Sequence, residues 1–180
     1  LVTIGGIKRI AQVAMFCVPF MCILYMIGAL AVITWKIDCV PAALAMIVRD
    51  AFQPSAAMGG FAGASVMQAV RYGISRGTFS NEAGLGSAPI AHATARTDHP
   101  VRQAYWGMME VFIDTIIMCT ATALVIILTD AWKSGETGAS QTIHGFSSLL
   151  GMKVGSAVVA FCMVLTAYDT NLAWCFYGET

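Results

Sequence analysis

The sequence has 180 residues, of which 58% are hydrophobic and only 11% are charged. A soluble domain carries about a quarter charged residues, so too few polar side chains are present to cover a surface that faces water. The ten Lys and Arg residues balance the ten Asp and Glu residues, which excludes the basic surface that nucleic-acid binding requires. The excess apolar surface must contact membrane helices or lipid, and the lipid bilayer is therefore an expected partner.

The cysteines and histidines do not indicate a metal centre. The six cysteines are scattered without a CxxC pair, and His92, His99 and His144 lie far apart in predicted polar connections. The sequence has no HExxH, P-loop or GxSxG motif. We therefore expect that the protein is not an enzyme and needs no cofactor. Because the chain begins at Leu1 without a Met and ends just after a helical pattern, we interpret it as an internal segment of a longer protein.

Long apolar stretches predict an all-α, polytopic transmembrane fold. A spanning helix needs about 20 mostly apolar residues. Four spans satisfy this pattern: 10–35, 54–91 with an interruption near 77–86, 105–129 and 149–177. A shorter apolar stretch at 37–52 predicts a surface helix, and 130–148 is predicted to be a polar loop.

The interruption is the most informative part of the sequence. Gly77, Gly84, Gly86 and Pro89 follow one another closely, and relative to Ala a glycine costs a helix about 1 kcal/mol and a proline about 3 kcal/mol. Irregular backbone at membrane depth is tolerated where it lines a cavity, and its free peptide groups can hold a cation, an ammonium group or a carboxylate. The alternative is a helix that ends near Arg76 and continues as a loop outside the membrane.

Ionisable residues in or next to the spans are expected to face the protein interior and to find partners there. Glu110 and Asp114 are four residues apart and share a helix face. They could pair with Arg71 or Arg76, and an internal ion pair that fixes packing is the favoured role. Glu82 and Asp169 belong to the same class of residue.

The last span has a polar stripe formed by Thr166, Thr170, Trp174 and Tyr177. Asp169 lies beside this stripe, and with Thr170 it offers two oxygen ligands suited to a small cation. The alternative is that Thr170 bonds the carbonyls of its own helix and Asp169 pairs with an Arg.

These motifs resemble those of the sodium:alanine (alanine or glycine:cation) symporter family. The resemblance covers essentially the whole chain and is most specific in the stretch RGTFSNEAGLGSAPIAH, from Arg76 to His92. Further matching stretches are IGGIKRI at Ile4, VPFM at Val18, GGFAGA at Gly59, HPVRQ at His99, FIDT at Phe112 and YGE at Tyr177.

The resemblance implies a LeuT-like architecture of two inverted five-helix repeats, of which this chain would supply about helices five to eight. Lys8 and Arg9 would then be cytoplasmic, an orientation that counting charges leaves undecided. The interrupted span would be the broken sixth helix. By resemblance, the substrate would contact Phe79, Ser80, Asn81, Gly84, Thr170 and Trp174, and sodium would bind Asp169 and Thr170. Asp169 stands where the family pattern has a hydroxyl residue.

The implied function is sodium-coupled symport of a small neutral amino acid, alanine or glycine, by alternating access. The protein would be a multi-pass protein of the cell (plasma or inner) membrane, and sodium would be its coupling ion. The alternatives are a channel-like or structural membrane module without ion coupling, and a membrane-embedded enzyme that uses Glu82, Glu110 or Asp114.

Overall fold

The computed structural model describes residues 6–52, 62–82 and 84–179, and its regular structure in these ranges is helical. The α-helices are α1 (Gly6–Trp35), α2 (Val40–Phe52), α3 (Ala62–Ser80), α4 (Ala88–His92), α5 (Pro100–Val111), α6 (Thr120–Leu128), α7 (Ala139–Leu150) and α8 (Met152–Glu179). A π-helical segment, Phe112–Cys119, joins α5 to α6, and short 3-10 turns are present at Ile37–Cys39 and Ala131–Ser134. The predicted all-α class is confirmed.

Three helices in the described ranges are long and apolar enough to cross a membrane. They cover Arg9–Trp35, Pro100–Leu128 and Met152–Gly178. Large apolar side chains on them face outward, and Phe16, for example, is 78% exposed. Because such surface is unfavourable in water, these helices require lipid or further membrane helices around them. The chain is therefore part of a membrane protein.

The predicted second span starts at residue 54, which lies outside the described residues, as does the Gly59-xxx-Gly63 pattern. The described part of that span is α3, which is not among the three helices that meet the length and hydropathy requirement. A fourth membrane crossing therefore stays a prediction. The stretch predicted as a surface helix forms α2, whose 13 residues are fewer than a span needs.

The chain divides into two compact units, and each is described by itself. The first combines residues 1–40 with 121–180 and contains α1, α6, α7 and α8. Its core is a cluster of small and β-branched residues around one aromatic ring: Phe146, Ala29, Val32, Ala121, Val125 and Val159. The second unit covers 41–120 and contains α3, α4, α5 and the π-helical segment.

The prediction of a polar loop over 130–148 was wrong for most of that stretch, since α7 begins at Ala139. Phe146 of α7 is fully buried, and its ring lies against Tyr25 with centroids 5.2 Å apart. His144 is likewise on this helix and exposed, not in a loop. The many polar side chains of α7 make its sequence resemble that of a loop. Its apolar face can be recognised only from its packing against α1 and α8.

Two glycines allow α7 and α8 to pack closely. Gly151 joins the helices with a φ of +82°, a conformation that favours glycine. At Gly155, an added Cβ would lie 2.5 Å from the backbone nitrogen of Ser147. The helix backbones therefore touch at Gly155, as small residues permit between membrane helices.

Polar contacts connect the ends of helices in the first unit. The Lys36 ammonium donates a hydrogen bond to the carbonyl of Leu128, the last residue of α6, at 2.6 Å. A cation at this position also complements the negative end of the helix dipole. Just beyond α6, Lys133 bonds Asp130 at 2.7 Å, and this hydrogen bond holds the pKa of the Asp130 carboxyl below its ordinary value.

Replacing Gly155 with Ala should destabilise the protein by about 1–3 kcal/mol, the usual cost of forcing extra atoms into a packed contact. The neighbouring atoms belong to the α7 backbone and cannot rotate away. Thermal unfolding of the purified complete protein would measure this loss. Gly73→Ala is the matched control because no described residue lies within 4 Å of its Cβ position. Equal melting temperatures for the two variants would contradict the close contact.

Candidate functional site

The helix interruption lies between the end of α3 at Ser80 and the start of α4 at Ala88. Ala83 is outside the described residues. Glu82 has a φ of +50°, Gly84 of +79° and Gly86 of +81°. A positive φ is uncommon for a residue with a side chain, and strained residues of this kind cluster at functional sites.

The backbone at the end of α3 leaves acceptors unused. The amide of Asn81 still bonds the carbonyl of Gly77, and the amide of Glu82 bonds that of Phe79. The carbonyls of Ser80 and Asn81 accept no hydrogen bond from residues that the structure describes. They form the partially negative C-terminal end of a helix, which attracts a positive group.

A hydrogen bond links the two ends of the interruption. The Ser87 hydroxyl donates to Glu82 Oε2 at 2.6 Å, and Ser87 is a buried polar residue with 7% exposure. Glu82 is one of the ionisable residues that were expected to find a partner inside the protein, and this hydrogen bond holds it within the loop. The hydrogen bond between Glu82 and Ser87 was not predicted, because it depends on the left-handed conformation of Glu82.

The π-helical segment supplies polar partners for the end of α3. The Ser80 hydroxyl donates to Asp114 Oδ2 at 2.7 Å. The side chains of Asn81 and Thr115 bond each other, with the Asn81 amide nitrogen 2.9 Å and the Asn81 carbonyl oxygen 3.2 Å from Thr115 Oγ1. A second hydrogen bond from the Asn81 amide reaches the carbonyl of Gly77 at 3.1 Å.

The ion pair considered for this helix is not formed. Asp114 bonds Ser80, and neither Arg71 nor Arg76 forms an ion pair within the part of the chain that the structure describes. Glu110 instead lies 3.8 Å from His92 Nε2. The π-helical turn begins between Glu110 and Asp114 and alters the i, i+4 relationship on which the prediction relied.

His92 is half-buried against one face of α5. Its Nδ1 lies 2.8 Å from the side-chain nitrogen of Gln103. The ring also lies against Gly107, where an added Cβ would be in ordinary contact with His92 Nε2 at 3.5 Å. His99 has a local role, accepting a hydrogen bond from the amide of Val101 at the start of α5. These two histidines are therefore structural contacts in the described chain.

The α8 residues predicted to bind sodium, Asp169 and Thr170, have side-chain oxygen atoms that bond none of the described residues. Asp169 is half-buried and forms no hydrogen bond or ion pair with the residues that the structure describes. Thr170 forms no side-chain hydrogen bond in the same ranges, whereas Thr166, one turn earlier, donates to the carbonyl of Cys162 at 2.9 Å. Within the described ranges, Asp169 does not pair with an Arg and the Thr170 hydroxyl does not bond a carbonyl of its own helix. Further along, the rings of Trp174 and Tyr177 meet edge to face, 5.8 Å apart.

The predicted site residues fall into two groups. Phe79, Ser80, Asn81 and Gly84 belong to the second unit, and Asp169, Thr170 and Trp174 belong to the first. Within each unit the residues are close in sequence and in space. Thr115 and Ser87 were missed as partners, although Thr115 lies in the FIDT stretch that carries part of the family resemblance.

The three helices long enough to span a membrane define the class of helical membrane proteins. The whole chain, residues 1–180, matches the model of the sodium:alanine symporter family. The chain belongs to that family.

Similar proteins come from bacteria and an archaeon. An uncharacterised transporter of Haemophilus influenzae is 47% identical over 99% of this chain and 40% of its own length. The sodium/alanine symporter AgcS of Methanococcus maripaludis is 42% identical over 99% of this chain and 39% of its own length. The probable sodium/glutamine symporter GlnT of Bacillus subtilis is 42% identical over 98% of this chain and 36% of its own length. The chain thus spans well under half of each of these relatives.

Replacing Ser87 with Ala should loosen the interruption, because it removes the hydroxyl that bonds Glu82 inside the loop. Loss of one such hydrogen bond costs about 1–3 kcal/mol. Hydrogen–deuterium exchange of the complete protein should accordingly become faster in peptides that cover 81–90. Ser148→Ala, which removes a local hydrogen bond to Gly145 in the other unit, should leave those peptides unchanged. Equally slow exchange in Ser87→Ala and the wild type would show that the Ser87–Glu82 hydrogen bond does not stabilise the interruption.

Proposed function

We propose that the complete protein is a sodium-coupled symporter that carries a small neutral amino acid, alanine or glycine, across the cell membrane. Membership of the sodium:alanine symporter family supports the coupling ion and the class of substrate. The relatives named for alanine and for glutamine support an amino acid as the cargo. This chain would supply about helices five to eight of two inverted repeats.

In this proposal, the amino acid binds at the end of α3. The observation that carries the proposal is that the carbonyls of Ser80 and Asn81 accept no hydrogen bond from the described residues, next to a backbone that cannot continue as a helix. The partial negative charge of these carbonyls suits the ammonium group of an amino acid. Phe79 and Gly84 would also contact the substrate in this segment. Thr170 and Trp174 of α8 are further substrate contacts that the family resemblance implies.

Sodium would bind at Asp169 and Thr170. A half-buried carboxylate without a partner is costly in a membrane helix, and a bound cation would compensate its charge. Carboxylate and hydroxyl oxygens are ligands that hard cations prefer. The unpartnered Thr170 hydroxyl one residue further on would supply a second oxygen.

Coupling would follow if sodium favoured the outward-open state, the state that accepts the amino acid. An ion shifts such an equilibrium only by its difference in affinity for the two states. The same coupling free energy would make the bound amino acid strengthen sodium binding.

Proteoliposomes that contain the complete protein should accumulate radiolabelled alanine when an inward sodium gradient is imposed. Accumulation above the external concentration is expected because the gradient supplies the free energy. Competition by unlabelled glycine and glutamine would define the substrate class. Equilibration without dependence on sodium would favour a channel, and conversion of alanine to a product would favour an enzyme.

Replacing Asp169 with Asn should raise the sodium concentration needed for half-maximal uptake by about tenfold, equivalent to about 1.4 kcal/mol of lost binding. Thr170→Val should shift it in the same direction by a smaller factor, because a neutral ligand is lost. Uptake measured over a series of sodium concentrations gives both shifts.

Thr166→Val is the matched control, since the Thr166 hydroxyl already bonds a carbonyl of its own helix. It should leave the sodium dependence unchanged. An Asp169→Asn protein with the sodium dependence of the wild type would remove Asp169 from the sodium site.

A further inference from the structure

Two consecutive residues at the end of α3 bond two consecutive residues of the π-helical segment. Ser80 pairs with Asp114 at 2.7 Å, and Asn81 pairs reciprocally with Thr115 at 2.9 and 3.2 Å. All four side chains belong to the second compact unit. The last helical residue of α3 and the first residue beyond it are therefore both attached to the same short stretch of the neighbouring helix.

Both residues of the neighbouring helix that form this double attachment lie in the π-helical segment. Successive side chains of an α-helix diverge around its axis, so adjacent residues seldom face one neighbour. A π-helical segment has a wider turn, and such segments are rare and frequently occur at functional sites. Here it spans eight residues, Phe112–Cys119, and contains both Asp114 and Thr115.

The hydrogen bonds also act on the backbone of the proposed pocket. Asn81 bonds Thr115 through its side chain and Gly77 through the same amide group. The Asn81 side chain is thus held from two sides, which restricts the backbone to which it is attached. Asp114 is half-buried, and a hydrogen bond to a charged group is stronger than one between neutral groups.

We propose that Asp114 and Thr115 are positioning residues that hold the end of α3 and set the direction of the Ser80 and Asn81 carbonyls. They act through Ser80 and Asn81 and need not touch the amino acid. This inference deepens the proposed function and depends on it for the link to substrate affinity. The attachment itself is a property of the protein that can be measured without transport.

The variants separate a hydrogen-bonding role from a charge role. Asp114→Asn keeps an acceptor for the Ser80 hydroxyl and removes the charge, whereas Asp114→Leu removes both. Thr115→Ser keeps the hydroxyl, and Thr115→Val removes it with little change in shape. Thr120→Val is the matched control on the same helix, because Thr120 forms no side-chain hydrogen bond in the described ranges.

The first measurement is hydrogen–deuterium exchange of peptides covering 74–82 in the purified complete protein. Asp114→Leu and Thr115→Val should speed exchange about tenfold, the effect of losing a hydrogen bond of this kind. Asp114→Asn, Thr115→Ser and Thr120→Val should remain close to the wild type. If Asp114→Leu fails to fold, Ser80→Ala removes the same hydrogen bond from the other side.

The second measurement is the KM for alanine in sodium-driven uptake. Asp114→Leu and Thr115→Val should raise KM several-fold with a smaller effect on maximal rate, and the conservative variants should restore it. Unchanged exchange in the Leu and Val variants would overturn the proposal. An Asp114→Asn protein as defective as Asp114→Leu would also overturn it, because the charge itself would then be required. Faster exchange with an unchanged KM for alanine would overturn it as well.

A wild-type protein without sodium-coupled uptake would refute the proposed function. The exchange comparison would then still decide whether Asp114 and Thr115 hold the end of α3.

Discussion

The candidate site depends on how the polar groups at the end of α3 find hydrogen-bond partners. At the membrane depth proposed for this segment, peptide groups that leave the helix would need new partners, because a membrane interior offers no water to supply them. The side chains of Ser80 and Asn81 obtain partners from the π-helical segment, and Glu82 obtains one from Ser87. The carbonyls of Ser80 and Asn81 remain without such partners among the described residues. This difference makes them candidates for a ligand.

In the first unit the main constraint is close helix packing. Helices in lipid have no strong hydrophobic drive toward one another, so their association depends on close contact. Phe146 fills the space between α1, α7 and α8, and a Cβ at Gly28 would come within 2.9 Å of its ring. Gly155 brings the α7 and α8 backbones together. Contacts this close define the position of α8, the helix that carries Asp169.

Asp169 and Asp114 show why the surroundings of a carboxylate decide its interpretation. Both are half-buried acids on helices able to span a membrane. Asp114 accepts a hydrogen bond from Ser80, which suits a residue that positions a neighbour. Asp169 has no partner among the described residues, which suits a residue that binds an ion. From sequence alone the two were assigned by helical spacing and by family pattern, without knowledge of their contacts.

The sequence by itself determined the class and the family. It predicted an interruption near 77–86, of which residues 77–80 proved to be helical in α3. Hydrophobic length sets the spans, and the glycines at 84 and 86 with Pro89 prevent a continuous helix. Tertiary structure alone decided the partners. The π-helical turn changed the face on which Asp114 lies, and α7 was concealed by its polar residues. Such features depend on contacts between residues distant in sequence, which local periodicity does not encode.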